Sequence, residues 1–335
     1  MNEALPLRTP GAGIPQVQPV VSFDFFMPHD HGVIAASVAC ALDTYHAALG
    51  PDSGRLTTTW DADGEPSPLS NADWEDLRER LAAAPPDDFL DDLPQDSLWF
   101  NILTRRRFDA NVRLTGDESD SSGYEFRYRS RLPWRNPNAR MLSVLNAQVP
   151  LRFLEEQGPT RLRDLAINLA GNLPFSAAHV GLSFVSSRGF RRALPLLKED
   201  LFRHPGWAVP SAGASMDMGP QVDGIHWLNF LGPPLLETVG GIQALRAHLR
   251  HPETTVQELT GGRALIRLGS APLAGDTKRG ETLPAYRELA RFLEPWLLPS
   301  PPFTPFEGYT PEEMRHWWRR FLEPPPAPIS DPRDG

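Results

Sequence analysis

The sequence lacks the features that identify secreted, membrane or redox proteins. Its 335 residues include one cysteine, Cys40, so no disulfide can form within the chain. No run approaches the roughly 18 to 20 apolar residues that a membrane span needs. The first twenty residues contain four prolines and no basic start followed by an apolar segment, so we predict no secretory signal. We therefore expect a cytoplasmic protein with no membrane partner, in which Cys40 packs as a small hydrophobic residue of a helix.

Reactive-group motifs are missing as well. The chain has no GxSxG, GxxxxGK[ST] or GxGxxG pattern, and its histidines form no HExxH motif. We therefore predict no catalytic residue, no resident metal and no cofactor. One enzymatic alternative remains, a metal-assisted hydrolase in which His29 and His31 supply two ligands at a strand-to-helix junction. Asp30, between them, equally suits the N-cap of the helix.

The net charge of -9 excludes one class of partner and permits another. Nucleic-acid binding depends on neutralising phosphates, so an acidic chain is not expected to bind nucleic acid directly. Trp317 and Trp318, which neighbour several arginines, could stack on bases. Their helical spacing with Met314 and Phe321 favours core packing instead. A basic protein is the partner that the charge permits.

Strand and helix patterns alternate along the chain. Strands are predicted at 20–26, 55–60, 111–115, 124–131, 141–149, 179–185, 224–231, 256–259 and 263–268. Helices are predicted at 33–49, 160–173, 189–203, 235–250 and 282–297, with two more beginning after Ser70 and Thr310. Asp73 and Glu313 stand at the capping-box positions of these last two helices. The Gly240-Gly241 pair indicates close packing or a bend in the helix that contains it.

This order predicts an α+β fold with mixed, largely antiparallel sheets flanked by helices. The strand-helix-strand order occurs twice, which allows two similar halves at 19–138 and 139–298. Proline-rich ends at 1–18 and 323–335 are predicted to be irregular, and they leave 19–322 as the folded domain.

An acidic segment at 87–96 is the predicted partner-binding site. It interleaves aspartates with apolar residues, and the predicted contact residues are Asp87, Asp88, Phe89, Asp91, Asp92 and Asp96. Two interpretations remain open. The segment could be a solvated helix start, where aspartates are favoured near the positive end of the helix dipole. It could also be a surface on which aspartates steer a basic protein and an apolar residue anchors it.

Several short stretches together resemble a known bacterial family. They are Phe23-Asp24-Phe25, Gly181-Leu182-Ser183-Phe184, His204-Pro205-Gly206, Gly240-Gly241 and, above all, the run from Gly224 to Leu231 (GIHWLNFL). With these the chain resembles the TsiV-type family of type VI secretion immunity proteins, over about residues 20–298.

The resemblance implies a non-enzymatic cytoplasmic protein that binds a cognate VRR-NUC nuclease effector and blocks its active site, and we expect this toxin to be basic. The family supplies no catalytic residue to transfer, and contact residues differ between members. An acidic inhibitor can occupy the basic surface with which a nuclease binds DNA. Besides the hydrolase, a scaffold protein of a secretion locus remains an alternative.

Overall fold

A single sheet runs through the protein. The computed structural model describes residues 17–50, 54–61, 63–82, 93–100, 110–119, 121–131, 140–186, 190–209, 218–299 and 308–323. Within these residues ten strands form one sheet, in the order β3-β2-β4-β5-β6-β1-β7-β8-β10-β9, and every neighbouring pair is antiparallel. The predicted α+β class is therefore confirmed, with one sheet where several were allowed.

The strands follow the predicted pattern closely. They are β1 Val17–Met27, β2 Thr58–Trp60, β3 Pro66–Pro68, β4 Val112–Thr115, β5 Glu125–Arg129, β6 Ser143–Pro150, β7 Ala177–Ser186, β8 Leu228–Leu231, β9 Thr254–Leu259 and β10 Arg263–Leu268. The predicted hairpins β4–β5 and β9–β10 both form. Proline occupies both ends of the edge strand β3, which discourages pairing with another chain.

The described helices pack on both faces of this sheet. They are α1 His31–Leu49, α2 Asn71–Arg80, α3 Leu151–Asn172, α4 Phe190–Arg203, α5 Leu235–Thr238, α6 Gly241–His248, α7 Pro284–Leu293 and α8 Pro311–Trp318. The capping boxes Ser70/Asp73 and Thr310/Glu313 are both present. Trp317 is buried with Met314, as core packing predicted.

Strand β1 divides the core because its side chains alternate between the two faces. Phe23 and Phe25 lie on the face that carries α1 and α3, where they join Tyr45 of α1 in the larger apolar cluster. Phe26, on the opposite face, belongs to a second apolar cluster with Tyr286 of α7. The sheet is thus covered on both sides.

Two expectations about α1 were wrong, and the N-cap expected at Asp30 is confirmed in position only. Cys40 is exposed on the helix surface and does not pack as a core residue. Val33 is 76% exposed, although it matched the apolar spacing. Asp30 occupies the N-cap position, but its side chain makes no capping hydrogen bond. Its carboxylate lies 2.9 Å from Arg131 Nε, so an ion pair takes the place of the cap.

Helix α1 is also long and apolar enough to cross a membrane by length and composition. In this structure its inner face, which includes Ile34, Val38 and Tyr45, is buried against the sheet. The helix therefore packs as part of the core.

The stretch at 224–250 differs from the sequence prediction in two places. Strand pairing begins at Leu228, and residues 224–227 form a loop that enters β8. The helix predicted at 235–250 is two helices, because Gly240 and Gly241 adopt φ values of 91° and 74° that break it. The bend expected at the glycine pair is confirmed. The Pro233-Pro234 peptide bond before α5 is cis.

The two predicted halves are interleaved in the sheet. Strand β1 lies between β6 and β7, both of which come from residues 139–298. The division into similar halves remains a prediction. The first described strand begins at Val17, two residues inside the segment predicted to be irregular.

Candidate functional site

A row of polar side chains crosses the middle of the sheet on the face opposite α1 and α3. Strand register places Asn146 of β6 beside Asp24 of β1, Asp24 beside His179 of β7, and His179 beside Asn229 of β8. All four residues are buried. Because buried polar groups are costly unless they are hydrogen-bonded, this row requires partners.

Asp24 is held by three neighbours. Ser22 Oγ donates to Asp24 Oδ2 at 2.6 Å, and Asn146 Nδ2 donates to Oδ1 at 2.6 Å. His179 Nδ1 lies 3.6 Å from Oδ2. Burial raises the pKa of Asp24, while His179 and the two hydrogen bonds act in the opposite direction.

His179 lies between two carboxylates. Its Nε2 is 3.0 and 3.1 Å from the two carboxylate oxygens of Asp223, and its Nδ1 faces Asp24. The side chains of His179 and Asp223 are only 7% and 6% exposed. Burial alone would lower the pKa of His179, but the charge and hydrogen bond of Asp223, with the charge of Asp24, outweigh it and raise that pKa. The two carboxylates therefore act on this imidazole in the direction opposite to burial.

His226 lies flat against His179. The ring centroids are 3.6 Å apart and the ring planes differ by 8°. A Cβ at Gly181 would lie 2.9 Å from His226 Nδ1, so only glycine at that point of β7 leaves room for the ring. Burial and the neighbouring charge of His179 hold the pKa of His226 well below its usual value, which keeps this ring neutral.

Arg320, just after α8, lies over the same site. Its Nε donates to Pro205 O at 2.7 Å and its Nη2 to Trp207 O at 3.3 Å, and its guanidinium lies 4.4 Å from the ring centroid of Trp317. Burial lowers the pKa of Arg320 to about 9, against the opposing charge of Asp223. The side chain is still charged at neutral pH.

A cavity of about 30 Å³ lies between these groups. Its lining includes Ser22, Asp24, His179, Asp223, His226 and Arg320. That volume is enough for one water molecule. The carboxylates of Asp24 and Asp223 and the guanidinium of Arg320 thus share the lining of this cavity with the two imidazoles.

The hydroxyls at this cavity are not placed as nucleophiles. Ser22 Oγ donates to Asp24, and Ser183 Oγ donates to Ala208 O at 3.1 Å. A serine nucleophile has to give its proton to a histidine base. Neither serine is bonded to His179, so the described part of the cavity is not a Ser-His-Asp arrangement.

The sequence prediction missed this cluster. No spacing motif links His179 and His226, so nothing in the sequence placed them together. The nearest signal is the Asp223-x-x-His226 spacing, which is too common to be diagnostic. Strand pairing brings in Asp24 and His179 from far along the chain.

The structure describes only part of the predicted partner-binding segment. Asp87, Asp88, Phe89, Asp91 and Asp92 lie outside the described residues. Asp96 is exposed, and Ser97 Oγ accepts a hydrogen bond from Phe100 N at 3.0 Å. Leu98 and Trp99, which lie between Ser97 and Phe100, are 73% and 66% exposed. With Val33, they are the exposed large apolar residues of the described chain, and the sequence prediction did not single them out.

The structure brings no third ligand to His29 and His31 within the described residues. His31 is buried, its Nδ1 lies 3.1 Å from Tyr128 Oη, and burial lowers its pKa. Within the described residues, neither histidine belongs to a group of three possible ligands that could share an ion.

Comparison with known proteins places the chain among type VI secretion proteins. The family model "TsiV: Type VI immunity for VRR-NUC" matches residues 37–321. Among solved structures, the Pseudomonas aeruginosa T6SS protein PA0821 is similar, with a TM-score of 0.68 and 18% sequence identity. The match covers 92% of this chain and 82% of that one, and at this identity it shows a shared fold. No curated protein matches the chain.

Proposed function

Because the chain belongs to the TsiV family of type VI immunity proteins, we propose that it binds a VRR-NUC nuclease effector and neutralises it. The observation that carries this proposal is the family match over residues 37–321, a range that contains β2 to β10 and helices α2 to α8. The match includes nine of the ten described strands and most of the helical cover, so it concerns most of the fold.

A direct block of the nuclease suits the charge of this chain. A nuclease needs a basic surface for DNA, and a protein of net charge -9 complements such a surface. Inhibition by occupation needs no chemistry from the inhibitor. The protein acts as a non-enzymatic binder in the cytoplasm, where an incoming nuclease would reach DNA.

The contact surface in this proposal centres on the acidic segment at 87–96 and on Leu98 and Trp99, which follow it after one serine. Asp87 to Asp96 supply charges that accelerate encounter with a basic partner. Leu98 and Trp99 supply exposed apolar area directly beside them. Tryptophan is over-represented among residues that dominate binding energy, so Trp99 is the natural anchor. Two adjacent exposed apolar side chains offer area that a partner can cover.

The decisive experiment is co-expression with the nuclease-like product of the neighbouring gene. Survival of cells that express both proteins, together with a stable complex on size-exclusion chromatography, is the expected result. A nuclease inactivated at its catalytic residues serves as the control for toxicity. Death of the cells despite equal expression of both proteins would contradict neutralisation. Binding to secretion-apparatus components without protection would favour a scaffold protein.

A further inference from the structure

The buried cluster beneath Arg320 has the composition of a metal site. His179, Asp223 and His226 each offer one ligand atom, and these atoms all lie within 4.8 Å of one another. Two imidazoles and one carboxylate are the donor set of many zinc sites, whereas calcium and magnesium prefer oxygen donors throughout. We propose that His179, Asp223 and His226 bind one divalent transition-metal ion of the zinc class.

The surroundings of His179 match the way metal-bound histidines are held. A histidine that binds a metal through one nitrogen usually directs the other at a carboxylate, which fixes the orientation of the ring. His179 directs Nε2 at Asp223 and Nδ1 at Asp24. Asp24 is itself fixed by Ser22 and Asn146. The second carboxylate is thus a positioning residue behind the ligand.

His226 is held at its backbone while its ring is left available. Asn229 bonds both backbone groups of His226, accepting from N at 2.9 Å and donating to O at 2.7 Å. Within the described part of the chain, no hydrogen bond reaches the ring nitrogens of His226. A buried imidazole without a hydrogen-bonding partner suits a ligand that arrives from outside the chain.

One of the two stacked histidine rings must tilt before both can bind the same ion. Imidazoles stacked 8° from parallel direct their nitrogens side by side, so one ring has to tilt before both reach one metal. A Cβ at Gly181 or Gly224 would lie 2.9 or 3.3 Å from a ring nitrogen of His226. Glycine at both positions therefore removes two side-chain contacts that would oppose such a tilt. The adjoining cavity of about 30 Å³ can hold a water as fourth ligand.

Zinc titration of the purified full-length protein without a histidine tag tests the proposal. After treatment with a chelator and dialysis, the protein is titrated with Zn²⁺ against a chromogenic chelator, and bound metal is counted by mass spectrometry. One ion per chain is expected. D223N and H226A should each weaken binding by at least about tenfold, and D24N by roughly 10- to 100-fold through the orientation of His179.

Two controls separate this site from weak surface binding. H248N removes an exposed histidine far from the cluster in sequence, and the H29N/H31N double variant removes the histidine pair at the start of α1; both should bind zinc as the wild type does. Cobalt provides a readout that does not depend on a variant folding. The wild type with one equivalent of Co²⁺ should show the strong visible bands of a four-coordinate ion, and the His179 and His226 ring resonances should shift on Zn²⁺ binding.

Three results would overturn the proposal: less than one tightly held ion per chain, binding that survives in D223N and H226A, or a weak six-coordinate cobalt spectrum. The cluster would then be a buried network of hydrogen bonds and ion pairs only. Because metal content and ring resonances are read without a partner, the outcome is independent of nuclease neutralisation. The two proposals can therefore fail separately.

Discussion

Asn229 bonds both backbone groups of His226: its Oδ1 accepts from the His226 N–H at 2.9 Å, and its Nδ2 donates to the His226 carbonyl at 2.7 Å. Asn229 is the first polar residue of β8 and lies opposite His179 in register. A single amide side chain therefore fixes the 224–227 loop onto the sheet and sets the position of the His226 ring.

Replacement of Asn229 by alanine should destabilise the fold markedly. Two buried backbone groups would lose their partner, and each unsatisfied buried group costs about 1 to 3 kcal/mol. We expect N229A to lower the free energy of unfolding by about 2 to 4 kcal/mol, measured by urea denaturation. N168A is the matched control, because Asn168 is exposed on α3 and its side chain makes no hydrogen bond within the described residues. Its effect should stay within about 0.5 kcal/mol. If the two variants lowered the free energy of unfolding equally, Asn229 would not be what fixes the 224–227 loop onto the sheet.

Two glycine substitutions should have opposite effects. A Cβ at Gly232 would lie 2.0 Å from the carbonyl oxygen of Phe175, so G232A forces the backbone of β8 and the entry to β7 apart. We expect a loss of about 2 to 3 kcal/mol or more. Gly171 in α3 has no heavy atom within 4 Å of the Cβ position, so G171A should stabilise the protein by up to about 1 kcal/mol. Thermal and urea unfolding of both variants measure the difference. If G232A left the free energy of unfolding unchanged, the backbone at Gly232 and Phe175 could move apart at little cost.

Local sequence signals predicted the elements of this fold but not the positions of all their residues. The capping boxes at Ser70 and Thr310 and the bend at Gly240 follow from short-range chemistry, which the sequence displays directly. Cys40 matched the helical period, yet its side of α1 faces outward. Periodicity gives the spacing of a face, and the width of the buried stripe depends on which elements pack against it.

The buried cluster was beyond sequence reasoning for a different reason. Asp24 and His179 become neighbours only because β1 pairs with β7, and Asp223 and His226 arrive on a loop held by Asn229. Strand order within a sheet of ten strands is a long-range property that no local pattern encodes. The acidic segment, in contrast, is visible in the sequence because its signal is composition.

The ion pair between Asp276 and Arg203 should make stability sensitive to acid. Arg203 Nη2 lies 2.6 Å from Asp276 Oδ2, and its hydrogen bonds lower the pKa of Asp276 from 3.8 to about 2. A lowered pKa in the folded state means that the stabilisation is present above about pH 4 and is lost as the pH falls toward 2. Because Arg203 is a third exposed, the contribution is about 1 to 2 kcal/mol.

The test compares wild type with D276N by urea unfolding between pH 6 and pH 2.5. At pH 6 the free energy of unfolding of the wild type should exceed that of D276N by about 1 to 2 kcal/mol. This difference in stability should become smaller as the pH falls and Asp276 is protonated. D76N is the control, since Asp76 pairs with Arg80 on an exposed surface of α2 and contributes little. A gap that stays constant down to pH 2.5 would contradict the lowered pKa.

The aspartates of the acidic segment should control the rate of association with the nuclease. In the D87N/D88N/D91N/D92N variant, loss of four charges should slow association by about 3- to 10-fold at low salt and leave dissociation nearly unchanged. Surface plasmon resonance with a catalytically inactive nuclease measures both rates. A control variant with the same loss of charge carries E155Q, E156Q, E237Q and E312Q, which replace exposed glutamates elsewhere. If both variants slow association equally, net charge and not the acidic segment steers the encounter.

Trp99 should control the rate at which the complex with the nuclease dissociates. Its side chain is 66% exposed, and burial of a tryptophan at an interface centre is worth about 2 kcal/mol or more, so W99A should raise the dissociation rate roughly 30-fold. Association, which depends on long-range charge, should change little, and added salt should not alter the effect of W99A. V33A is the matched control, because Val33 is 76% exposed on α1 and lies outside the proposed surface. An unchanged dissociation rate in W99A would remove this residue from the interface. A fall in association alone would mean that Trp99 shapes the acidic segment and does not contact the partner.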